Sequence, residues 1–204
     1  MASGYIPAQV DRPEQVDPST WARMTIEYEH HEIHAGNMFT SSVYASDFDA
    51  QSSLCLAFRT PTSSKRIHLY FEASATTFAE LELLEAPTIT SGTGTPVPIH
   101  NRHRPWSAQK RSTVGTIDNP SIPDYVTQDP TITNENVRLH GEMVGSGRGN
   151  SGSVSSYRGE YEWVLLPGVL YAIRLAGNGV GGANQIASIC ATWYEHEDKD
   201  IVSG

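Results

Sequence analysis

Apolar and polar residues alternate along much of this chain. Leu54, Leu56 and Phe58 are separated by Cys55 and Ala57, and Ile67, Leu69 and Phe71 by His68 and Tyr70. Successive side chains of an extended backbone point to opposite faces, so a period of two predicts half-buried β-strands. The stretch VLYAIRL repeats the pattern with Val169, Tyr171, Ile173 and Leu175 on one face, and QIASICATWYE reads as a last strand. TFAELELLEAPTIT, NVRLHGEMVG and YRGEYEWVLL supply further strands, and MTIEYEHHEI, from Met24, is read the same way.

Turn residues punctuate these stretches. SGTGTPVP and GSGRGNSGSVSS read as loops. Pro167 and Gly168 stand between two apolar runs, where proline presets one dihedral and glycine accepts a positive one, so a β-hairpin is expected there. The tetrapeptide PTIT occurs at Pro87 and again at Pro130. Four residues are too few for a duplication, and a proline followed by β-branched residues is a common way to open a strand.

At least about eight short strands, with no convincing amphipathic helix between them, predict an all-β fold: an antiparallel β-sandwich or jelly roll over residues 25–204. Residues 1–24, with Pro7, Pro13 and Pro18 at short intervals, are expected to form an extended N-terminal arm. The polar, proline-punctuated stretch from His100 to Pro130 is expected to make long excursions, not a second core.

Composition narrows the picture. At 204 residues the chain fits one domain with an arm, and 38% hydrophobic with 18% charged residues is neither a disordered polymer nor a membrane protein. A net charge of -9 argues against a protein devoted to coating nucleic acid, because phosphate neutralisation needs a large basic face. There is no run of eighteen apolar residues and no signal-like start, so synthesis in a cytosol and no membrane partner are expected. Cys55 and Cys190 both lie in strand-like contexts and are expected to act as small buried hydrophobes rather than as a disulfide pair.

Candidate chemistry is sparse. In HHEIH, a strand would project His30, Glu32 and His34 to one face, where two imidazoles and a carboxylate could hold a divalent metal. The spacing matches neither HExxH nor the cupin pattern and no fourth ligand follows, so a solvated or interfacial strand face is the favoured expectation, with no cofactor. Gly147, Gly149 and Gly152 spell GxGxxG but are followed by strand sequence, not by the helix a dinucleotide site requires. HNRHRPWSAQKR places Arg102, Arg104, Lys110 and Arg111 around Trp106, a pattern that suits either phosphate or an acidic protein face; direct nucleic-acid binding is not expected. Trp163 and Trp193 fall in apolar strands. Trp21 and Trp106 lie in polar surroundings, where an indole more often marks a docking surface.

IHAGNMFT (Ile33 to Thr40), FRTPTSSKRIHLYFEA (Phe58 to Ala73), LLEAPTITSGTGTPVPIHNRHR (Leu83 to Arg104) and the ending EWVLLPGVLYAIRL to ATWYE together resemble virion proteins of tailed bacteriophages. The resemblance spans most of the chain beyond the arm. It implies a non-enzymatic structural component of the virion: a capsid decoration or cement protein on the outer surface, made in the host cytoplasm, bridging subunits of the major capsid protein and forming a homotrimer. A partner interface through Trp21, Arg102, Arg104, Trp106, Lys110 and Arg111 would fit that role. Two alternatives stay open: a glycan- or receptor-binding jelly-roll module of a head or tail fibre, and a cupin-like metalloenzyme centred on His30, Glu32 and His34.

Overall fold

The computed structural model describes residues 28–104, 110–118, 124–145, 152–155, 162–179 and 185–197. The arm expected over residues 1–24 lies outside them. A short helix α1 (Tyr28–Ala35) is followed by β1 (Met38–Phe48), β2 (Ser53–Arg59), β3 (Lys65–Ala75), β4 (Ala79–Glu85), β5 (Thr88–Ile89), β6 (Thr95–Pro98) and β7 (His100–Asn101). Then come β8 (Tyr125–Gln128), β9 (Ile132–Asn134), β10 (Val137–Val144), β11 (Gly152–Ser155), β12 (Trp163–Leu165), β13 (Leu170–Gly177) and β14 (Gln185–Glu197).

Two antiparallel six-stranded sheets pack face to face. The first runs β11-β3-β14-β1-β7 with β12 also on β3, and the second runs β10-β4-β13-β2-β8-β6. Along the chain β1, β2, β3 and β4 switch sheets at each step, and β12, β13 and β14 do the same. With β10 on β4 at one edge, this is the wrapping order of a jelly roll.

The alternation read from the sequence holds. Leu54, Leu56 and Phe58 of β2 face Ile67, Leu69 and Phe71 of β3 across one core, joined by Tyr171, Ile173 and Leu175 of β13 and by Ile189, Ala191 and Trp193 of β14. Burial of each large side chain contributes about 1.5–3 kcal/mol relative to exposure. Through this core runs a column of rings. Phe39 stacks on Trp193 at 6.1 Å between centroids, Trp193 on Phe58 at 6.3 Å, and Phe58 on Tyr171 at 6.2 Å. The column begins in the first sheet and ends in the second, and such pairs add about 0.5–1.5 kcal/mol each beyond their area.

Strand β13 is buried on both faces. Its other side, Leu170 and Ala172, joins Cys55, Ala57, Leu84 and Ile117 in a second cluster, and Ile89 and Ile132 pack over it. Those two isoleucines belong to the two PTIT segments. β5 and β9 pair with each other, Thr88 opposite Asn134 and Ile89 opposite Ile132, as a separate two-stranded ribbon. Ala86 and Asp129, each just before the proline, share a left-handed backbone with φ of 52° and 48°. The repeated tetrapeptide is thus a pair of matched halves closing over the outside of the second sheet.

Several expectations are corrected. Pro167 and Gly168 do turn the chain, with Gly168 at φ 71°, but the turn is not a hairpin. β12 pairs with β3 in one sheet and β13 with β2 and β4 in the other. The bonds that would close a hairpin are taken by the neighbouring segment: Thr60 donates its amide to Val169 O at 3.0 Å and its hydroxyl to Leu166 O at 2.6 Å, and Gly168 donates to Pro61 O at 2.9 Å. SGTGTPVP and GSGRGNSGSVSS, expected as loops, contain β6 and β11, which pair with β8 and β3. The stretch from His100 to Pro130 sends Val114 and Val126 into the main core and forms β7 and β8.

The side chain of Ile173 sits fully buried between the sheets. Ile173→Ala is expected to cost about 2–5 kcal/mol, read as a lower urea midpoint at unchanged slope.

Candidate interaction surfaces

The HHEIH segment is a helix, which corrects the strand expected there. Its sequence lacks alternating apolar residues, and Gly36 at φ 72° stops it. Gly36 N–H donates to Ile33 O and Asn37 N–H to Glu32 O, both at 3.0 Å, the paired bonds of a glycine-terminated helix end. The Ala-Gly-Asn after His34 is the signal that could have identified it. On a helix, positions four apart share a face and positions two apart do not. His30 and His34 therefore meet, with Nε2 atoms 3.0 Å apart and ring centroids at 4.7 Å, and His103 approaches His34 edge-on at 6.3 Å. Glu32 is turned away and buried, where Asn37 donates to it at 2.8 Å. The three-residue face that a cupin-like site needs is not formed.

The basic residues expected at a partner interface each have a place in the described structure. Arg102 lies half-buried with Nη1 3.4 Å from Met38 Sδ. Lys110 donates to Asn37 Oδ1 at 2.9 Å, and Arg111 pairs with Asp124 at 3.2 Å. Arg104 is exposed. Trp21 and Trp106 lie outside the described residues. What this segment does within the chain is hold the end of α1 to the first sheet: Asn101 Nδ2 donates to Gly36 O and Lys110 O, each at 2.9 Å.

The surface that alternation could not single out is the outer face of the first sheet. In register across it stand Tyr44 and Ser188 with Ser74, then Ser42 and Cys190 with Glu72, then Thr40 and Thr192 with Tyr70, then Tyr194 and His68 with Val164. Small hydroxyl residues fill the middle, and several already bond to neighbours: Ser74 to Ser188 at 2.7 Å, Thr40 to Ala191 O at 3.0 Å. At the margins Tyr44 is 75% exposed, Ile186 57% and Val164 57%. Hydroxyls that already bond to one another lose little on losing water, and apolar groups at the rim gain by contact; the exposed carboxylate of Glu72 stands among them.

One corner of this face carries a carboxylate network. Glu162, just before β12, accepts from Tyr194 OH at 2.6 Å and Tyr70 OH at 2.7 Å and pairs with His68 Nδ1. His68 stacks on Tyr194 at 4.4 Å and lies 4.3 Å from His196. Partial burial works to raise the carboxyl's pKa, but hydrogen bonds from Tyr194, Tyr70 and His68 outweigh it and the net shift is downward. The group thus ties β12 to β3 and β14 in its ionised form.

Elsewhere carboxylates serve the fold. Buried Glu195 accepts from Ser112 Oγ at 2.6 Å and from Thr113 N–H and Oγ1, fixing residues 112–113 to the end of β14. Buried Glu82 binds Arg174 at 2.6 Å and Arg138 at 3.0 Å on the outer side of the second sheet. The two cysteines are free and lie on different sheets. Burial, and then the charge of Asp129, push the Cys55 thiol up to about 12. Among the described residues no helix is long and apolar enough to cross a membrane, and no group of three or more His, Cys, Asp or Glu could hold a metal ion.

No family model, curated protein or solved structure matches the chain.

Because the folded-state pKa of Glu162 lies below its ordinary value of 4.5, its contribution is present above that pH and fades as pH falls through the folded value. Glu162→Gln is expected to lower the thermal midpoint at pH 7, with the gap from the parent shrinking by pH 3. A second expectation concerns the thiols: a disulfide-exchange reagent should modify Cys190, half-buried on the outer face, in the native protein, and Cys55 only after unfolding.

Proposed function

We propose that this chain is a structural component of a tailed-bacteriophage virion: a capsid decoration protein that grips the major capsid protein and further copies of itself as a homotrimer, without catalysing a reaction. The resemblance of its strand and turn segments to phage virion proteins supports the role. The observation that carries it is the outer face of the first sheet, where Tyr44, Ile186 and Val164 stand exposed around a band of internally bonded Ser and Thr side chains. On the opposite outer face the β5–β9 ribbon and an ion network cover the middle, with Met143 of β10 exposed at the edge.

A shell protein needs this division of labour. Its inner faces supply a stable sandwich, and one broad surface is left to bury against a neighbour; a stable interface takes about 800 Å² from each partner. Local three-fold axes of an icosahedral shell match a trimer. Packaged DNA strains such a shell outward, and many modest contacts distributed over its surface resist that strain without any active site.

Sedimentation equilibrium of the purified chain is expected to give a trimer, and an electron-microscopic map of the particle to place density for the sandwich on the outside of the head. Ile186→Lys, which sets a charge on the open face, is expected to weaken trimer or head association by at least about tenfold while leaving the far-ultraviolet circular dichroism unchanged. A monomer that ignores phage heads would sink this reading.

A further inference from the structure

The second sheet ends at β8 and β6, and beside that edge lies a groove of about 510 Å³ lined by Gly92, Gly94, Pro96, Asp118, Tyr125 and Thr127, among others. Its size falls within the usual range for small-molecule sites. The groove has a built floor. Tyr125 and Thr127 stand on one face of β8, since Val126 between them points into the core. Pro96 sits opposite Thr127 across the strand pair. Loop residues 92–94 press against β8: Gly94, at φ 83°, comes so close that a Cβ there would lie 2.5 Å from Gln128 O. Thr93 Oγ1 pins the same loop, donating to Thr90 O at 2.6 Å and accepting from Thr131 N–H at 3.0 Å.

The chemistry of the lining is selective. Tyr125 is 42% exposed, so part of a ring, with the pyrrolidine of Pro96, offers an apolar wall. Asp118 supplies the charged group. Its Oδ2 accepts from Gly92 N–H at 2.9 Å. That bond, with a second from the Ser91 hydroxyl, holds its pKa below the ordinary carboxylate value. An ionised carboxylate has about four lone-pair positions, so acceptor capacity remains after those two bonds. A flat apolar wall beside an oriented acceptor fits a molecule with a C–H face and hydroxyl donors along its edge.

We infer that this groove is a binding site for a neutral hexopyranose unit, with the sugar's C–H face against Tyr125 and Pro96 and its hydroxyls donating to Asp118. The inference is independent of the open face of the first sheet and stands or falls apart from capsid binding.

Saturation-transfer NMR of the full chain with the methyl glycosides of glucose, galactose and mannose, and with N-acetylglucosamine, tests it. At least one is expected to bind at millimolar concentration, with transfer strongest to the C–H protons of one face. Tyr125→Ala and Asp118→Asn should each weaken that binding by at least about tenfold, while Tyr125→Phe, which keeps the ring, should change it far less. Circular dichroism checks that each variant is folded. The assignment is overturned if no sugar of the panel binds, if binding survives both Tyr125→Ala and Asp118→Asn, or if tetramethylammonium binds there and no sugar does.

Discussion

The contact between the two sheets is the constraint on which the molecule rests. Every long strand gives one face to it, and the stack Phe39–Trp193–Phe58–Tyr171 crosses it from one sheet to the other. The chain switches sheets at most of its connections, so the strands that fill the core are held by neighbours far away in sequence. Loss of packing at any of them is felt by both sheets, because close-packed interiors relax only partly around a gap.

With the inner faces committed, the outer faces are free to differ. The middle of the second sheet's outer face is covered by the paired PTIT segments, whose isoleucines bury Ala57, Leu84 and Ala172, and by the carboxylate of Glu82 shared between Arg138 and Arg174. The outer face of the first sheet carries hydroxyls and Glu72 at its middle and exposed apolar side chains at its margins. The groove beside β6 and β8 is a third, local feature, shaped where a left-handed glycine lets a loop touch a strand.

Some of the chain's carboxylates are used as structural ties. Glu82, Glu162 and Glu195 each meet two or more donors, and the donors come from different strands or loops. These carboxylates act as polar rivets. A buried pair of this kind adds little net stability over an apolar replacement, yet removing one partner leaves an uncompensated group and is costly. Arg102, Lys110 and Arg111 likewise contact Met38, Asn37 and Asp124.

Period-two alternation by itself determined the long core strands and which of their faces are buried: Leu54, Leu56 and Phe58, Ile67, Leu69 and Phe71, and Tyr171, Ile173 and Leu175 all lie where their spacing puts them. That pattern is legible because side-chain direction along a strand is a local property of the backbone. The HHEIH helix ends through bonds within its own segment, which Ala-Gly-Asn signals and alternation does not. Only the tertiary structure decided that Pro167-Gly168 carries the chain between sheets, where Thr60 and Pro61 take the bonds a hairpin would have made. It likewise decided that the two PTIT segments pair and that Glu162 meets Tyr70, Tyr194 and His68. Each of these depends on which distant strand supplies a hydrogen-bond partner, and alternation, which repeats identically in every strand, carries no record of partnership.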